Sequence, residues 1–520
     1  MGWWTGRWWR HGLDDETRAK ERGGLLEAFW SLLDSARTYP CDLLASLERS
    51  RVTTMSSLSR WNIAKMALSM RVPWAVMPRK RLDISYPDYM YGLYACTKTE
   101  SARPSLEKRV EQRFSDGNGK DNALVLLSVR TGLDLMLQAM DLPRGSEVIC
   151  SAVTIKDMAK ILLLHGLVPV AVDMHSDTLE PRVDLLKAAI TPKTKLIVVA
   201  HIFGVIAPLD SLVEVAVAAG VPVVEDCAEA YVGPSYLGHP GVTAVAFSFG
   251  TIKTSTALAG SVWVVRDDAL RDSMRTRNQE LTPRTNVFFL KRLLKYMGVS
   301  SLQLPHVWGL AIKTVQTLGL DWEELVTAVS RGFPGPDLIG QLRQRVSVPC
   351  LALMEHRFSN YDAVAVARRK KLSEQLAARL VACPGIKIPG LEAKFHSYWL
   401  FPVMILDGRT QKVCDAMLKR GYDVTSGTTQ LGSVENYVLD PLKVLPTTAT
   451  EMMALIVYLP LSIDMPEECM VLLAETFTRV MVKHTGEQPG GTVSFAQDVE
   501  DKNFDDGDYD EAYLIPASRL

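Results

Sequence analysis

The chain has no excess of charge of either sign: 58 Lys and Arg stand against 59 Asp and Glu. That excludes the basic footprint of a dedicated nucleic-acid binder. Long apolar runs are also missing. Stretches such as 161–164 and 168–172 are far too short to span a bilayer, so no transmembrane segment is expected. The start has neither an apolar h-region nor a small-residue cleavage site, which argues against a secretory leader. Cysteines fall at 41, 96, 150, 227, 350, 383, 414 and 469, and no two are spaced as CxxC, so a zinc site is not expected. They read as reduced, mostly structural thiols of a cytoplasmic protein.

What is present is an ordinary soluble composition, 47% hydrophobic and 22% charged, over 520 residues. That length exceeds one typical core and predicts two or more domains. From 123 onward short apolar runs alternate with helical stretches. Strands are expected at 123–127, 147–150, 168–172, 196–200 and 221–224, with helices at 132–140, 155–165, 183–189 and 209–219. Continuous Val/Ile/Leu runs of this kind predict a mostly parallel α/β sheet covered on both faces. Residues 280–350 turn helical, with Arg284, Lys291, Arg292 and Lys295 among apolar residues. Such a stripe suits packing on the body or across a dimer interface better than a membrane surface. From 360 to 483 a separate α+β unit is expected, with strands at 398–405 and 455–461 and helices at 411–420 and 467–482.

Three segments carry chemistry. Val224-Glu225-Asp226-Cys227 places an acid at the C-terminal end of a buried strand, where open α/β sheets bind ligands. Asp226 there suits a protonated ring nitrogen, although an isolated Asp equally suits a cap or an ion pair. Phe247-Ser248-Phe249-Gly250-Thr251-Ile252-Lys253-Thr254 surrounds one lysine with small and hydroxylated residues between apolar stretches. A buried lysine in that setting suits covalent and proton-transfer chemistry, and the Ser248 hydroxyl suits a phosphate. Ser128-Val129-Arg130-Thr131-Gly132 joins a strand to a helix, where free N–H groups, the Arg130 guanidinium and the Thr131 hydroxyl suit an anion.

Together with Gly145-Ser146-Glu147-Val148-Ile149, Val168-Pro169-Val170-Ala171-Val172-Asp173, Ala189-Ile190-Thr191-Pro192-Lys193-Thr194-Lys195, Ala200-His201-Ile202-Phe203-Gly204 and Tyr458-Leu459-Pro460-Leu461, these segments carry a resemblance. The stretch 105–268, and more loosely 356–485, resembles the DegT/DnrJ/StrS family of pyridoxal-phosphate (PLP) sugar aminotransferases. The resemblance implies a fold-type I architecture and a homodimer. It implies an amino group transferred to a keto sugar, nucleotide-linked, from a small-molecule amino donor. It makes Lys253 the Schiff-base lysine, Asp226 the pyridinium partner and Ser248 a phosphate ligand. Glu229 falls near the cofactor's 3-hydroxyl, and Arg130, Thr131, Ile155 and His201 complete the expected cofactor site. A related dehydratase branch carries histidine in place of the lysine, so Lys253 favours amino transfer.

Departures from the family pattern bear on the substrate. Arg130 takes the threonine position of the phosphate turn, where its forked donors still suit phosphate. Ile155 replaces the aromatic residue that stacks on the ring, and Leu258-Ala259-Gly260-Ser261 replaces a Gly-rich run. A helical insertion of unusual length follows the sheet. Two other readings therefore stand beside the first: a PLP enzyme acting on a non-sugar amine or keto compound, and a non-catalytic PLP-fold scaffold.

The expected layout is an N-terminal extension (1–104), a large PLP domain (105–275), a helical insertion (276–355), a small C-terminal domain (356–485) and an acidic disordered tail (486–520). The start holds four tryptophans and two arginines within ten residues, fitting a docking surface or a frayed extension. Gly6 stands where a myristoylation motif needs Ser or Thr. Ser518-Arg519-Leu520 is a conservative variant of the Ser-Lys-Leu peroxisomal address, which adds that organelle to the expected locations.

Overall fold

Short apolar runs of four to seven residues fold as inner strands, with helices between most successive strands of the sheet. The computed structural model describes Met66, Met70 and residues 72–115, 121–330, 333, 337–427, 430–434 and 446–485. The chain groups into two units, Met1–Asn62 and Ile63–Leu520. The first unit, with its tryptophans, lies outside the described residues, as does the acidic tail with Ser518-Arg519-Leu520.

The first eight strands are β1 (Ala123–Leu126), β2 (Glu147–Ser151), β3 (Val153–Ile155), β4 (Val168–Val172), β5 (Thr194–Ala200), β6 (Val223–Asp226), β7 (Ala244–Ser248) and β8 (Ser261–Val265). Seven of them form one sheet in the order β1-β8-β7-β6-β5-β2-β4. The pairs from β7 through β4 are parallel, whereas β8 is antiparallel to both β7 and β1.

Alternation along the strands divides the side chains between two cores. Val125, Ile149, Val170, Ile197, Val199, Val223, Val245 and Val262 face one core. Leu124, Val148, Leu196, Val198, Val224, Ala244, Ala246 and Trp263 face the other. Helix Val129–Met140 approaches the second face closely at Gly132, where an added Cβ would lie 2.1 Å from Nε1 of Trp263. Residues outside the large sheet close the first core. Helices Tyr86–Ala95 and Val348–Ser359 both contribute buried side chains to it. Helix Asn286–Leu302 buries Phe289, Leu293 and Tyr296 there, with Leu293 against Gly92 and the Tyr89 hydroxyl donating to the Tyr296 carbonyl at 2.9 Å.

The remaining strands are β9 (Thr282–Pro283), β10 (Gln344–Arg345), β11 (Ile386–Lys387), β12 (Phe401–Ile405), β13 (Leu431–Ser433) and β14 (Ile456–Leu459). β11, β12 and β14 form a three-stranded antiparallel sheet backed by helices Ala363–Leu380, Thr410–Leu418 and Glu467–Thr485. Met66, Met70, Ala75 and Met77 enter this third core, so the described residues before 105 are shared among more than one core. β13 returns to pair with β3, Leu431 opposite Ile155, and so walls one side of the large sheet's edge. Among the described residues no helix is long and apolar enough to cross a membrane.

Candidate active site

Parallel strands bring their C-terminal ends to a common edge, where the sheet's ligands bind. Ser248 ends β7, Asp226 ends β6, His201 follows β5, and Ser128 and Arg130 follow β1. Because β8 runs the opposite way, Gly260 at its entry lies on this edge too. A cavity of about 170 Å³ opens there, lined by Arg130, Ile155, His201, Asp226, Glu229, Ser248 and Lys253. Every site residue expected from the sequence thus lines it except Thr131.

Asp226 is buried and makes no ion pair among the described residues. Burial pushes its carboxyl up to about 6, against the Ala228 amide bond at 2.9 Å and the nearby Lys253 charge. Lys253 Nζ stands 3.2 Å from Glu229 Oε1 and 4.0 Å from the centre of the Trp399 indole. The other Glu229 oxygen accepts the Phe203 amide at 3.1 Å, and the Trp399 Nε1 donates to the Ile252 carbonyl at 2.9 Å. The lysine is therefore held between a tethered carboxylate and a tethered ring.

The loop carrying Lys253 is strained. Ser255 and Leu258 adopt φ of 53° and 67°, in the left-handed region that costs a non-glycine residue about 1 kcal/mol or more. Surrounding bonds hold it in place. Asp83 accepts the Ser255 amide at 2.7 Å, and the Thr256 hydroxyl donates to the Gly250 carbonyl at 2.7 Å.

At the strand–helix turn, Ser128 is the N-cap and its hydroxyl accepts the Thr131 amide at 3.1 Å. The Thr131 hydroxyl instead donates to the Leu342 carbonyl at 3.0 Å, and Thr131 is fully buried away from the cavity. Arg130 does face the cavity, paired with Asp157 and lying over the Phe333 ring at 4.4 Å. His201 lines the cavity but its ring is spent elsewhere. Nε2 lies 2.8 Å from Glu225, and Nδ1 accepts the Ala207 amide at 3.2 Å. His201, Glu225 and Cys227 lie close enough together to suggest a metal site. Tyr236 and the His239 amide also donate to Glu225, and burial drives the Cys227 thiol well up, so this cluster is already satisfied without an ion.

Sequence reasoning missed four residues. Trp399, from the turn before β12, caps Lys253. Lys80 donates to the Trp399 carbonyl and lies 5.1 Å from the same ring. Arg284 and Arg292 reach the cavity from the segment after the sheet. No local pattern marks any of them, since each is brought in from a remote segment.

A buried carboxylate, a tethered lysine and an arginine-lined turn thus meet at the strand ends of a mostly parallel sheet. Residues 101–303 match the DegT/DnrJ/EryC1/StrS aminotransferase family. The fold is that of fold-type I PLP enzymes. An aminotransferase, TlmJ, from Streptoalloteichus hindustanus is 17% identical, with 79% of this chain and 100% of that chain covered at a TM-score of 0.57. Helicobacter pylori PseC, an aminotransferase of pseudaminic acid biosynthesis, is 16% identical over 78% of this chain and 100% of that one, with a TM-score of 0.58. DesI, solved with its TDP-sugar product, is 18% identical over 80% and 95%, at 0.57. Identities this low speak to the fold alone. The family match supports a PLP-dependent aminotransferase. The residues present fit that cofactor: a buried carboxylate without a cationic partner, a lysine at the cavity and guanidinium groups at its wall.

Proposed function

We propose that the chain transfers an amino group to a keto sugar, nucleotide-linked, through PLP carried on Lys253. The convergence of Lys253, Glu229 and Asp226 in one cavity at the strand ends is the observation that most supports this reading. When bound, PLP supplies the electron sink that lets an amino group pass between two carbon skeletons.

Asp226 would hold the proton on the cofactor's ring nitrogen, a cation that relieves the cost of its own burial. Lys253 Nζ is the group that takes and returns the proton at the reacting carbon. Glu229 Oε1, 3.2 Å away, steadies that amine, and the bond to Phe203 keeps the carboxylate from swinging aside. Trp399 covers the amine and limits water, leaving the Lys253 side chain 17% exposed. Ile155 offers an aliphatic wall in place of a stacking ring, and the Ser248 hydroxyl and the Ser128 turn suit the phosphate.

The deciding experiment is a visible spectrum of the purified protein before and after borohydride, beside Lys253→Ala. A band near roughly 410–430 nm, fixed by reduction and absent from the variant, is the expected result. Absence of any band after added PLP would overturn the reading. With glutamate as donor, nucleotide-linked keto sugars are the expected acceptors. If they stay inert while other carbonyl compounds react, the substrate is not a sugar.

We also propose a homodimer. Val287, Phe288, Leu294 and Leu302 on helix Asn286–Leu302 remain exposed, an apolar set suited to a second copy. Light scattering should give twice the 57.7 kDa chain mass. A peroxisomal address at Ser518-Arg519-Leu520 is likewise a proposal, tested by imaging the tagged chain with and without the tripeptide.

A further inference from the structure

Three guanidinium groups meet at the cavity: Arg130 from the turn after β1, Arg284 just after β9, and Arg292 from helix Asn286–Leu302. Arg292 acts electrostatically on both of the others. Among the described residues only Asp157 answers them, and it is committed to Arg130. Neither Arg284 nor Arg292 has a carboxylate partner there. Burial, then the Arg292 charge, drives Arg284 down to about 10, as expected of a cation lacking a counter-charge.

The positions of these groups are fixed by neutral partners. Arg292 donates from Nε to the Leu258 carbonyl at 2.7 Å and from Nη2 to the Thr251 hydroxyl at 3.0 Å, which clamps both sides of the Lys253 loop. Arg284 donates from Nε to the Gln344 side chain at 2.7 Å and from Nη2 to the Gln341 carbonyl at 3.0 Å. Nη1 of each enters no hydrogen bond among the described residues. Phe333 lies under Arg130 at 4.4 Å and Arg284 at 5.5 Å, an apolar wall that strengthens any charge pairing in front of it. Like charges lining one cavity, with donors left over, are stable when an anion sits among them.

We infer that Arg284 and Arg292, with Arg130, form the binding site for a phosphate ester, so that the segment after the sheet supplies the anion contacts that Thr131 does not. A forked guanidinium pair recognises the several oxygens of a phosphate better than a single hydroxyl. The inference rests on the proposed PLP chemistry only for the question of whose phosphate is held. The cofactor and a phosphorylated substrate offer the same group.

The test uses the full chain freed of cofactor. Binding of pyridoxal 5′-phosphate, pyridoxal and UDP is measured by absorbance and calorimetry for the wild type, Arg284→Gln and Arg292→Gln, and melting curves confirm folding. Arg284→Gln is included because it leaves the Lys253 loop untouched, and Arg292→Lys keeps a charge at the loop clamp. If the arginines hold the cofactor's phosphate, the preference for pyridoxal 5′-phosphate over pyridoxal falls at least about tenfold, roughly 1.4 kcal/mol. If they hold the substrate's phosphate, that preference stays and UDP binding weakens by a similar factor. Unchanged binding of both in folded Arg284→Gln and Arg292→Gln overturns the inference. A wild type that binds neither pyridoxal form yet binds UDP through these arginines would end the PLP reading while leaving the anion site standing.

Discussion

Glu225 and Asp226 are neighbours on one buried strand, yet they occupy opposite electrostatic surroundings, because alternation sends them to opposite faces of the sheet. Glu225 meets donors on every side: His201, Tyr236, the His239 amide and the Cys227 thiol. Burial pushes its carboxyl up, but the His201 bond and charge and the Tyr236 and His239 bonds outweigh that and bring it to about 2. Asp226 has one amide bond and a lysine at longer range, and burial carries it up to about 6. One carboxylate is structural because its charge is already satisfied. The other is suited to chemistry because its charge is not, and it faces the cavity.

The contrast can be broken first at Asp226. Asp226→Asn should lower turnover by about a thousandfold, since the ring nitrogen loses the carboxylate that would keep it protonated. The cofactor-free protein should gain stability from the same change. A carboxyl raised from 3.8 to about 6 destabilises the folded state as pH climbs between those values, by up to about 3 kcal/mol above pH 6. Urea midpoints of wild type and variant should therefore coincide near pH 4 and separate by pH 7. A variant less stable than wild type at pH 7 would show that Asp226 has a cationic partner after all.

Glu225→Gln should do the reverse. Its carboxyl is lowered from 4.5 to about 2, so its contribution is complete above pH 4.5 and is lost as pH falls through 2. Removing the charge from this network should cost about 3 kcal/mol, measured as a lower urea midpoint at pH 7. The protein that remains folded should retain its cofactor affinity, since Glu225 does not line the cavity.

The same contrast explains what could be read from the chain. Asp226 and Lys253 were legible because each sits in a local pattern, an acid closing a Val run and a lysine among small residues, and both line the cavity. Strand positions were legible for the same reason, since a buried run needs no partner to declare itself. The direction of β8 was not, because an apolar run reads alike in either sense. Trp399, Arg284 and Arg292 were not legible either. Their arrival depends on how helix Asn286–Leu302 and the β12 region pack back on the sheet, through contacts more than thirty residues away in sequence. Ile155 is expected in the site from the sequence and lines the cavity, but its pairing with Leu431 joins segments almost three hundred residues apart.

The smaller effects probe the turn after β1. Gly132→Ala would drive a methyl into Trp263, whose Nε1 would lie 2.1 Å from the new Cβ, and should cost about 1–3 kcal/mol as the helix shifts. Because that helix also carries Ser128 and Arg130, the shift should weaken cofactor binding along with stability. Titration of cofactor into the folded variant checks this. Unchanged affinity would mean the turn moves independently of the helix.

Thr131→Val separates the two sides of the turn most cleanly. Valine keeps the shape of threonine and removes only the hydroxyl, which donates to the Leu342 carbonyl and lies 2.9 Å from the Ser128 hydroxyl. Each buried bond of this kind is worth about 1 kcal/mol, so the melting midpoint should fall modestly. Cofactor affinity should fall by no more than a few-fold, because Thr131 itself does not line the cavity and its amide remains capped by Ser128. A clear loss of affinity would show that the hydroxyl turns toward the phosphate once a ligand is bound. In that case the anion contact belongs to the turn as well as to the arginines beyond the sheet.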